Sequence, residues 1–293
     1  MNRMNADRAK ILAWQLAILL GSLAFWQWGY DLRHYADWLV PSILDPYFIS
    51  KPSEIWTRFL LMGCLADADG RWLFLVEEDF RSCLAFNENN LWIGITVTLK
   101  NTVLGFLVGV STGFLVGLAL GRSDRLSQIF QPYIVAVNSI PRVALVPIII
   151  LGFGLGDMSK IVTAWFIVFF LVFFNTYEGA RTVDPDLISA SRLFGATRWQ
   201  TTMTVIVPST MSWVFASLSP AISFSLIGVI VGEFIGAQRG IGRIIIESEA
   251  VGEASGMMVA IFILMVVGVI LTLAIQRLQM HLLRWQPRYL HNR

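Results

Sequence analysis

Three charged residues stand inside stretches that are otherwise apolar: Lys100 in "VTLKNTVLG", Arg142 in "NSIPRVALVP" and Glu233 in "GVIVGEFIG". A charge in such surroundings is costly, and it marks either a solute pathway or a paired partner. Asn101, Asn138, Ser223 and Ser225 add neutral hydrogen-bonding groups to the same stretches. Pro141 and Pro147 release backbone carbonyls, which is tolerable only beside protein or water. Asn138, Pro141, Arg142, Ser223 and Glu233 are therefore the pathway candidates. The competing reading is structural: an ion pair such as Arg142 with Glu233, or Lys100 reaching a membrane interface. Nucleophilic and metal chemistry find no comparable set. His34, His281 and His291 are isolated, and no metal-ligand spacing or nucleophile–base grouping occurs. "GFGLGDMSK" resembles a GxxxxGK[ST] phosphate loop only superficially. The expectation is a chain without catalytic residues, metal or cofactor of its own.

These residues must be held by elements that the composition makes apolar. Of 293 residues, 56% are hydrophobic and 14% charged, against about a quarter charged in soluble domains. The net charge of +2 is too small to suggest nucleic acid. Residues 161–177 and 205–232 contain no charge at all. About 20 such residues cross a bilayer as a helix. Six spans are expected, at 11–30, roughly 92–120, roughly 132–152 (interrupted by Pro141, Arg142 and Pro147), 160–177, 206–232 and 257–276. A signal peptide at 11–30 is the alternative for the first. Its apolar core would be overlong, and no small-x-small cleavage site follows. Trp26, Trp28, Trp92 and Trp285 lie beside the expected span ends, as an interfacial belt requires.

Charge bias orients the spans. Arg3, Arg8 and Lys10 precede the first; Arg122 and Arg125 follow the second. Arg181, Arg192 and Arg198 lie between the fourth and fifth, and Arg277, Arg284, Arg288 and Arg293 follow the sixth. Six crossings bring all four groups to one side, the cytoplasm, with both termini. Segment 31–90 then lies outside, and it is acidic, with ten Asp or Glu against five Lys or Arg. Its apolar pieces "WTRFLLM" and "RWLFLV" are too short to span and are expected as interfacial or packed helices. The resulting plan is an N-terminus at 1–10, a first span at 11–30, an external segment at 31–90, a transmembrane core at 91–283 and a cytoplasmic tail at 284–293.

In the second span, Gly105, Gly109, Gly113, Gly117 and Gly121 recur every fourth residue. This spacing keeps them on one slowly drifting helix face, where a second helix backbone can approach closely in lipid. Static packing and a contact that slides during a conformational change both predict a helix against that face.

The cytoplasmic stretch "DPDLISASRLFGATRWQTTMTVIVP" (184–208) reads differently from its neighbours. Asp184 before Pro185 is a capping side chain followed by proline at the first helical position. Gly195 can adopt the left-handed conformation that stops a helix. The spacing predicts a short helix, a glycine turn and a second helix leading into the fifth span. Such an element can be gripped by a soluble partner and can pass a push to a span.

This stretch resembles the EAA loop of permease subunits of binding-protein-dependent ABC importers: E-A-A, three residues, G, nine residues, I, one residue, L-P. Ser189, Ala190 and Ser191 occupy the first three places, Gly195 the glycine, Val205 the isoleucine, and Val207 with Pro208 the final pair. Ser189 departs from the family glutamate. "NSIPRVALVPIIILGFGLGDMSKI", "NTYEGARTVDPDL", "VGEFIGAQRGIGRII" and the terminal "RWQP" are similar to the nitrate/sulfonate/taurine group. The resemblance covers about 90–290 and not the insert at 63–90.

The resemblance implies an all-α membrane protein with about six transmembrane helices, of the type I importer permease kind, in a bacterial inner membrane. It implies an EAA-type loop at 178–208 whose coupling helix engages an ATPase through Asp184, Pro185, Ser189, Ala190, Ser191, Gly195, Ala196 and Arg198. The implied partners are two ATPase subunits, which bind ATP and Mg, a second permease copy or paralogue, and a periplasmic substrate-binding protein. The implied activity is ATP-driven import, by alternating access, of a small and anionic solute of the sulfonate, nitrate, aromatic-acid or vitamin-precursor type. An ion-coupled secondary transporter acting alone is the rival reading. Cys64 and Cys83, the only cysteines, both fall in the external segment. In a periplasm a disulfide between them would form and persist; two separate thiols are the alternative.

Overall fold

The computed structural model describes residues 2–33, 49–67, 70–73, 83, 90–236 and 238–283. The C-terminal tail with "RWQP" and Trp285, and much of segment 31–90, lie outside them. The described residues form helices and no strand, apart from one isolated antiparallel bridge between Ala66 and Trp72. The helices are α1 (Asn2–Arg33), α2 (Pro52–Met62), α3 (Leu91–Gly121), α4 (Asp124–Asn138), α5 (Val146–Phe153), α6 (Asp157–Arg181), α7 (Pro185–Leu193), α8 (Arg198–Thr201), α9 (Val207–Phe234), α10 (Ile241–Ala250) and α11 (Ala254–Leu282).

Five helical stretches are long and apolar enough to cross a membrane: Lys10–Trp28, Leu91–Gly121, Asp157–Arg181, Arg198–Phe234 and Ala254–Leu282. A sixth is the broken pair Asp124–Asn138 and Arg142–Phe153, bent by 85°. The bend has a chemical cause. Pro141 cannot donate to the helical ladder, and Pro147 again removes a donor in the first turn of α5. One 3₁₀ turn, Arg142–Leu145, bridges the gap.

The chain divides into two compact units. In the larger, residues 94–243 and 264–293, α6 runs through the centre with most of its side chains enclosed. The glycine face of α3 lies against it. A Cβ added at Gly105 would stand 2.5 Å from the Ala164 Cβ, at Gly109 2.6 Å from Val168, and at Gly113 2.8 Å from the Phe169 carbonyl oxygen. At Gly117 it would stand 2.7 Å from the Phe173 carbonyl oxygen, and at Gly121 2.8 Å from the Ala180 Cβ. The side-chain-free face therefore sits over backbone and small residues of α6 for its whole length. On α9, Gly228 meets the Ala164 backbone in the same manner. Phe106, Val168, Val172, Val214, Phe215, Leu218, Ala221 and Ile222 fill the space where α3, α6 and α9 converge, with Leu271 and Ile275 of α11 against them.

The smaller unit holds residues 1–93 and 244–263. Within it the Gln27 side-chain amide meets the Ser53 hydroxyl and backbone N–H, each at 3.2 Å, joining α1 to α2. Trp26 stacks on Phe262 with ring centroids 6.0 Å apart. Arg58 of α2 pairs with Glu253, just before α11, through two contacts of 2.6 Å. Cys64 and Cys83 are joined as a disulfide with Cα atoms 6.0 Å apart. Next to it, the Asn90 carboxamide oxygen accepts from the Trp92 backbone N–H at 2.9 Å, and the Trp92 indole donates to the Gly63 carbonyl at 2.9 Å. "WTRFLLM" is helical as expected. Trp72 of "RWLFLV" pairs as extended chain with Ala66 instead, because the chain reverses between Asp67 and Arg71, where the Asp67 N–H donates to the Arg71 carbonyl at 2.9 Å.

Candidate functional site

Two features of the larger unit carry the functional argument. The first is the segment between α6 and α9. The Asp184 carboxylate accepts from the Asp186 backbone N–H at 2.8 Å, capping α7, and Pro185 occupies its first turn. Gly195 follows the helix with φ +82°. The N–H of Ala196 then returns to the Ser191 carbonyl and that of Gly195 to the Arg192 carbonyl, which satisfies carbonyls the helix end would leave open. Thr197 and Gln200 form a reciprocal capping box that starts α8. One wider turn, Thr202–Ile206, leads on into α9, so Arg198–Phe234 is a single apolar stretch.

Contacts and exposure divide the face of α7. Ser191 shares a 3.0 Å hydrogen bond with Thr201, and Ile188 packs against the cluster of Ala180, Val183 and Ile206, which Leu118 also meets. This side anchors α7 to the ends of α3, α6 and α9. The other side is open: Ser189, Ala190 and Arg192 are exposed, Leu193 is 89% exposed and Phe194 92%. Two large apolar side chains held out this far, on a capped and anchored helix, form a surface that another protein can cover. Ala196 and Arg198 flank the turn, half-buried and exposed respectively.

The second feature is a buried polar cluster. The Thr98 hydroxyl donates to the Glu233 carboxylate at 2.8 Å and accepts from the Ile241 backbone N–H at 3.0 Å. The Gly242 N–H donates to the same carboxylate at 2.8 Å. Lys160, almost wholly enclosed, donates to the Arg239 carbonyl at 3.2 Å and lies 3.6 Å from Asp157. Asp157 also takes Asn101 at 3.2 Å and Lys100 at 3.3 Å. The cluster ties residues 239–242 to the first turns of α3 and α6. Only glycine fits at Gly240, whose added Cβ would overlap the Glu233 carboxyl group. The cluster is built to hold a connection in place.

The structure thus separates the five pathway candidates. Arg142 donates to Asn138 at 2.8 Å, across the 85° bend and beside Pro141. Glu233 has Thr98 and Gly242 as partners, so the alternative of an Arg142–Glu233 pair gives way to two separate arrangements. Ser223 is exposed and faces Thr272 at 3.5 Å. Lys100 reaches Asp157 rather than an interface alone. Thr98, Asp157 and Lys160 were missed by sequence reasoning. They lie in the first turns of long helices, where polar residues attract no notice. Only Gly240 and Gly242 beside Glu233 hinted that something presses close there. Among the described residues no group of His, Cys, Asp and Glu could hold a metal ion.

Comparison with known proteins bears on this arrangement. Residues 105–284 match the family described as "Binding-protein-dependent transport system inner membrane component". The aliphatic sulfonates transport permease protein SsuC of Bacillus subtilis is 27% identical over 195 residues, covering 67% of this chain and 71% of that protein. The formylaminopyrimidine transport permease protein ThiX of Halalkalibacterium halodurans is 29% identical over 202 residues, covering 69% and 81%. Among solved structures, an inward-facing form of the MetNI methionine ABC transporter aligns with a TM-score of 0.55 at 20% identity, over 64% of this chain and 95% of that one. That likeness shows the fold alone. The taurine permease TauC of Escherichia coli and the nitrate permease NrtB of Synechococcus elongatus are similar at 24% and 27% identity; with a family match over more than half its length, the chain belongs to the binding-protein-dependent family of inner membrane components, as an ABC importer permease.

Proposed function

We propose that the chain is the membrane-spanning half of an ATP-driven importer, working by alternating access, with ATP and Mg held by two separate ATPase subunits. The exposed side of α7 carries this reading. A helix capped by Asp184, stopped at Gly195 and anchored through Ser191 and Ile188 presents Leu193 and Phe194 to solvent. An ATPase seated on it moves a rigid piece joined directly to the start of the Arg198–Phe234 span and packed beside the ends of α3 and α6. In this reading Asp184, Pro185, Ser189, Ala190, Ser191, Gly195, Ala196 and Arg198 face the cytoplasm, both termini lie there too, and residues 31–90 face a periplasmic binding protein. A second permease copy or paralogue completes the pathway.

The solute is small and anionic. Arg142 supports this, half-buried at the bend of the broken span and bonded to a neutral partner, Asn138, so its charge is not cancelled by an adjacent carboxylate. The sulfonate relative points the same way; the formylaminopyrimidine relative leaves the vitamin-precursor class within range. The test is uptake of radiolabelled candidates into proteoliposomes holding the permease, its cognate ATPase and its binding protein. Uptake that requires ATP hydrolysis supports the proposal. Uptake driven by an ion gradient without the ATPase refutes it.

A further inference from the structure

Arg122, beside α7, and Arg192, on it, are close enough for their charges to oppose one another. Arg122 follows the last residue of α3, and Arg192 lies in the last turn of α7. One turn earlier on each helix, Leu118 and Ile188 pack in the same apolar cluster with Ala180, Val183 and Ile206. Packing against this shared cluster brings the end of α3 beside the last turn of α7. The Arg122 Nε is enclosed and has no hydrogen-bond partner. Partial burial, and then the charge of Arg192, hold Arg122 below the ordinary arginine range. Neither side chain has an acidic partner among the described residues. Arg181 on the adjoining α6 differs, since it reaches Asp124 at 3.4 Å and lies over the Tyr177 ring. A pair of mutually repelling cations with an enclosed unpaired donor is costly as it stands, and an anion between them would relieve both costs.

We propose that Arg122 and Arg192 together receive a carboxylate from the ATPase subunit, making an ionic lock at the edge of the apolar contact formed by Leu193 and Phe194. The inference rests on the importer reading above. A protein carboxylate fits better than a free anion, because Arg192 directly precedes Leu193 and Phe194, the two most exposed large apolar side chains among the described residues. Arg192 is the one charged residue in the last turn of α7, whose acid, Asp186, lies in the first turn. Planar guanidinium groups suit a carboxylate, which each can grip with two parallel donors.

The experiment titrates the cognate ATPase onto the permease in nanodiscs of phosphatidylcholine alone, at about 50 and about 300 mM NaCl, which spans a large change in screening. Wild-type affinity is expected to fall steeply with salt. The Arg122→Gln/Arg192→Gln variant is expected to bind at least about tenfold more weakly at low salt, with a flattened salt response. Arg122→Lys/Arg192→Lys should retain more than the Gln variant. The unbound Gln variant should melt no earlier than wild type, because a repulsion has been removed; a merely structural role predicts earlier melting. Equal affinity and equal salt response in wild type and the Gln variant overturn the lock. So does earlier melting of the Gln variant. A deficit seen only in discs containing phosphatidylglycerol also overturns it, by assigning the pair to a lipid headgroup. If the wild type itself fails to retain the ATPase, the importer reading falls and the lock with it.

Discussion

Replacing Gly113 and Gly117 with alanine tests the packing on which the transmembrane core depends. In water, exchanging glycine for alanine inside a helix is favourable by roughly 1 kcal/mol, so intrinsic propensity predicts stabilisation. The structure predicts the reverse. The new methyl at Gly113 would lie 2.8 Å from the Phe169 carbonyl oxygen and 3.1 Å from the Phe173 backbone nitrogen. At Gly117 it would lie 2.7 Å from the Phe173 carbonyl oxygen and 2.8 Å from the Thr176 Cβ. Ordinary contact begins at 3.4 Å, so α3 and α6 must separate by about 0.7 Å. The obstructing atoms are mainly backbone, which cannot rotate aside. Overpacking of this kind costs roughly 1–3 kcal/mol per site. Separation also loosens the flanking contacts of Val168 and Val172. The assay is equilibrium unfolding in mixed micelles, with Gly152→Ala as the control, since nothing lies within 4 Å of its added methyl. Gly113→Ala and Gly117→Ala should each unfold earlier while Gly152→Ala stays within about 0.5 kcal/mol of wild type. If both ladder variants match or exceed wild type, the close approach of α3 and α6 is wrong.

Four further outcomes are expected. Gly195→Val forces a β-branched residue to φ +82° with no steric neighbour to blame; it should cost roughly 1–2 kcal/mol locally and reduce ATP-driven uptake while membrane insertion, read by fractionation, survives. Glu233→Ala strands the Thr98 hydroxyl and the Gly242 N–H at a buried site, and should cost about 1–3 kcal/mol, with faster hydrogen exchange at 239–242 by mass spectrometry. Removing the Cys64–Cys83 bridge, which closes a sequence separation of 19, should cost about 3 kcal/mol of local stability; intact mass after alkylation of denatured protein should show no adducts before reduction and two after. Arg142→Ala should abolish uptake of an anionic solute by the assembled complex, and Arg142→Lys should retain part of it.

The spanning helices were readable because lipid demands long uncharged runs, and the α7 segment because capping and turn residues act locally. Asp184, Pro185 and Gly195 each perform in place what their chemistry predicts, independent of distant neighbours. The glycine repeat likewise announced a close partner. It did not say which, because α6 meets it through backbone and through small or β-branched residues that carry no spacing of their own. Long-range polar contacts were opaque for a related reason. Glu233 meets Thr98 across 135 positions, and Lys160 meets Arg239 across 79, so pairing depends on how α3, α6 and α9 lie together. The alternative of an Arg142–Glu233 pair failed on this point: charge sign was known and position was not. Helix α10 was overlooked although Ile241, Ile244, Ile245 and Ser248, all buried, recur at helical spacing. Its short run lay in the shadow of the glycines before it.

The central claim is that the exposed face of α7 is where nucleotide-driven motion enters the membrane protein. Binding-protein-stimulated ATP hydrolysis by the reconstituted complex measures it directly, comparing wild type with Leu193→Asp/Phe194→Asp. Both side chains point into solvent, so the free permease should keep its melting temperature. The account predicts that the variant permease no longer retains the ATPase and that stimulated hydrolysis falls to the level of the ATPase alone. Undiminished, binding-protein-stimulated hydrolysis in the double variant would contradict it.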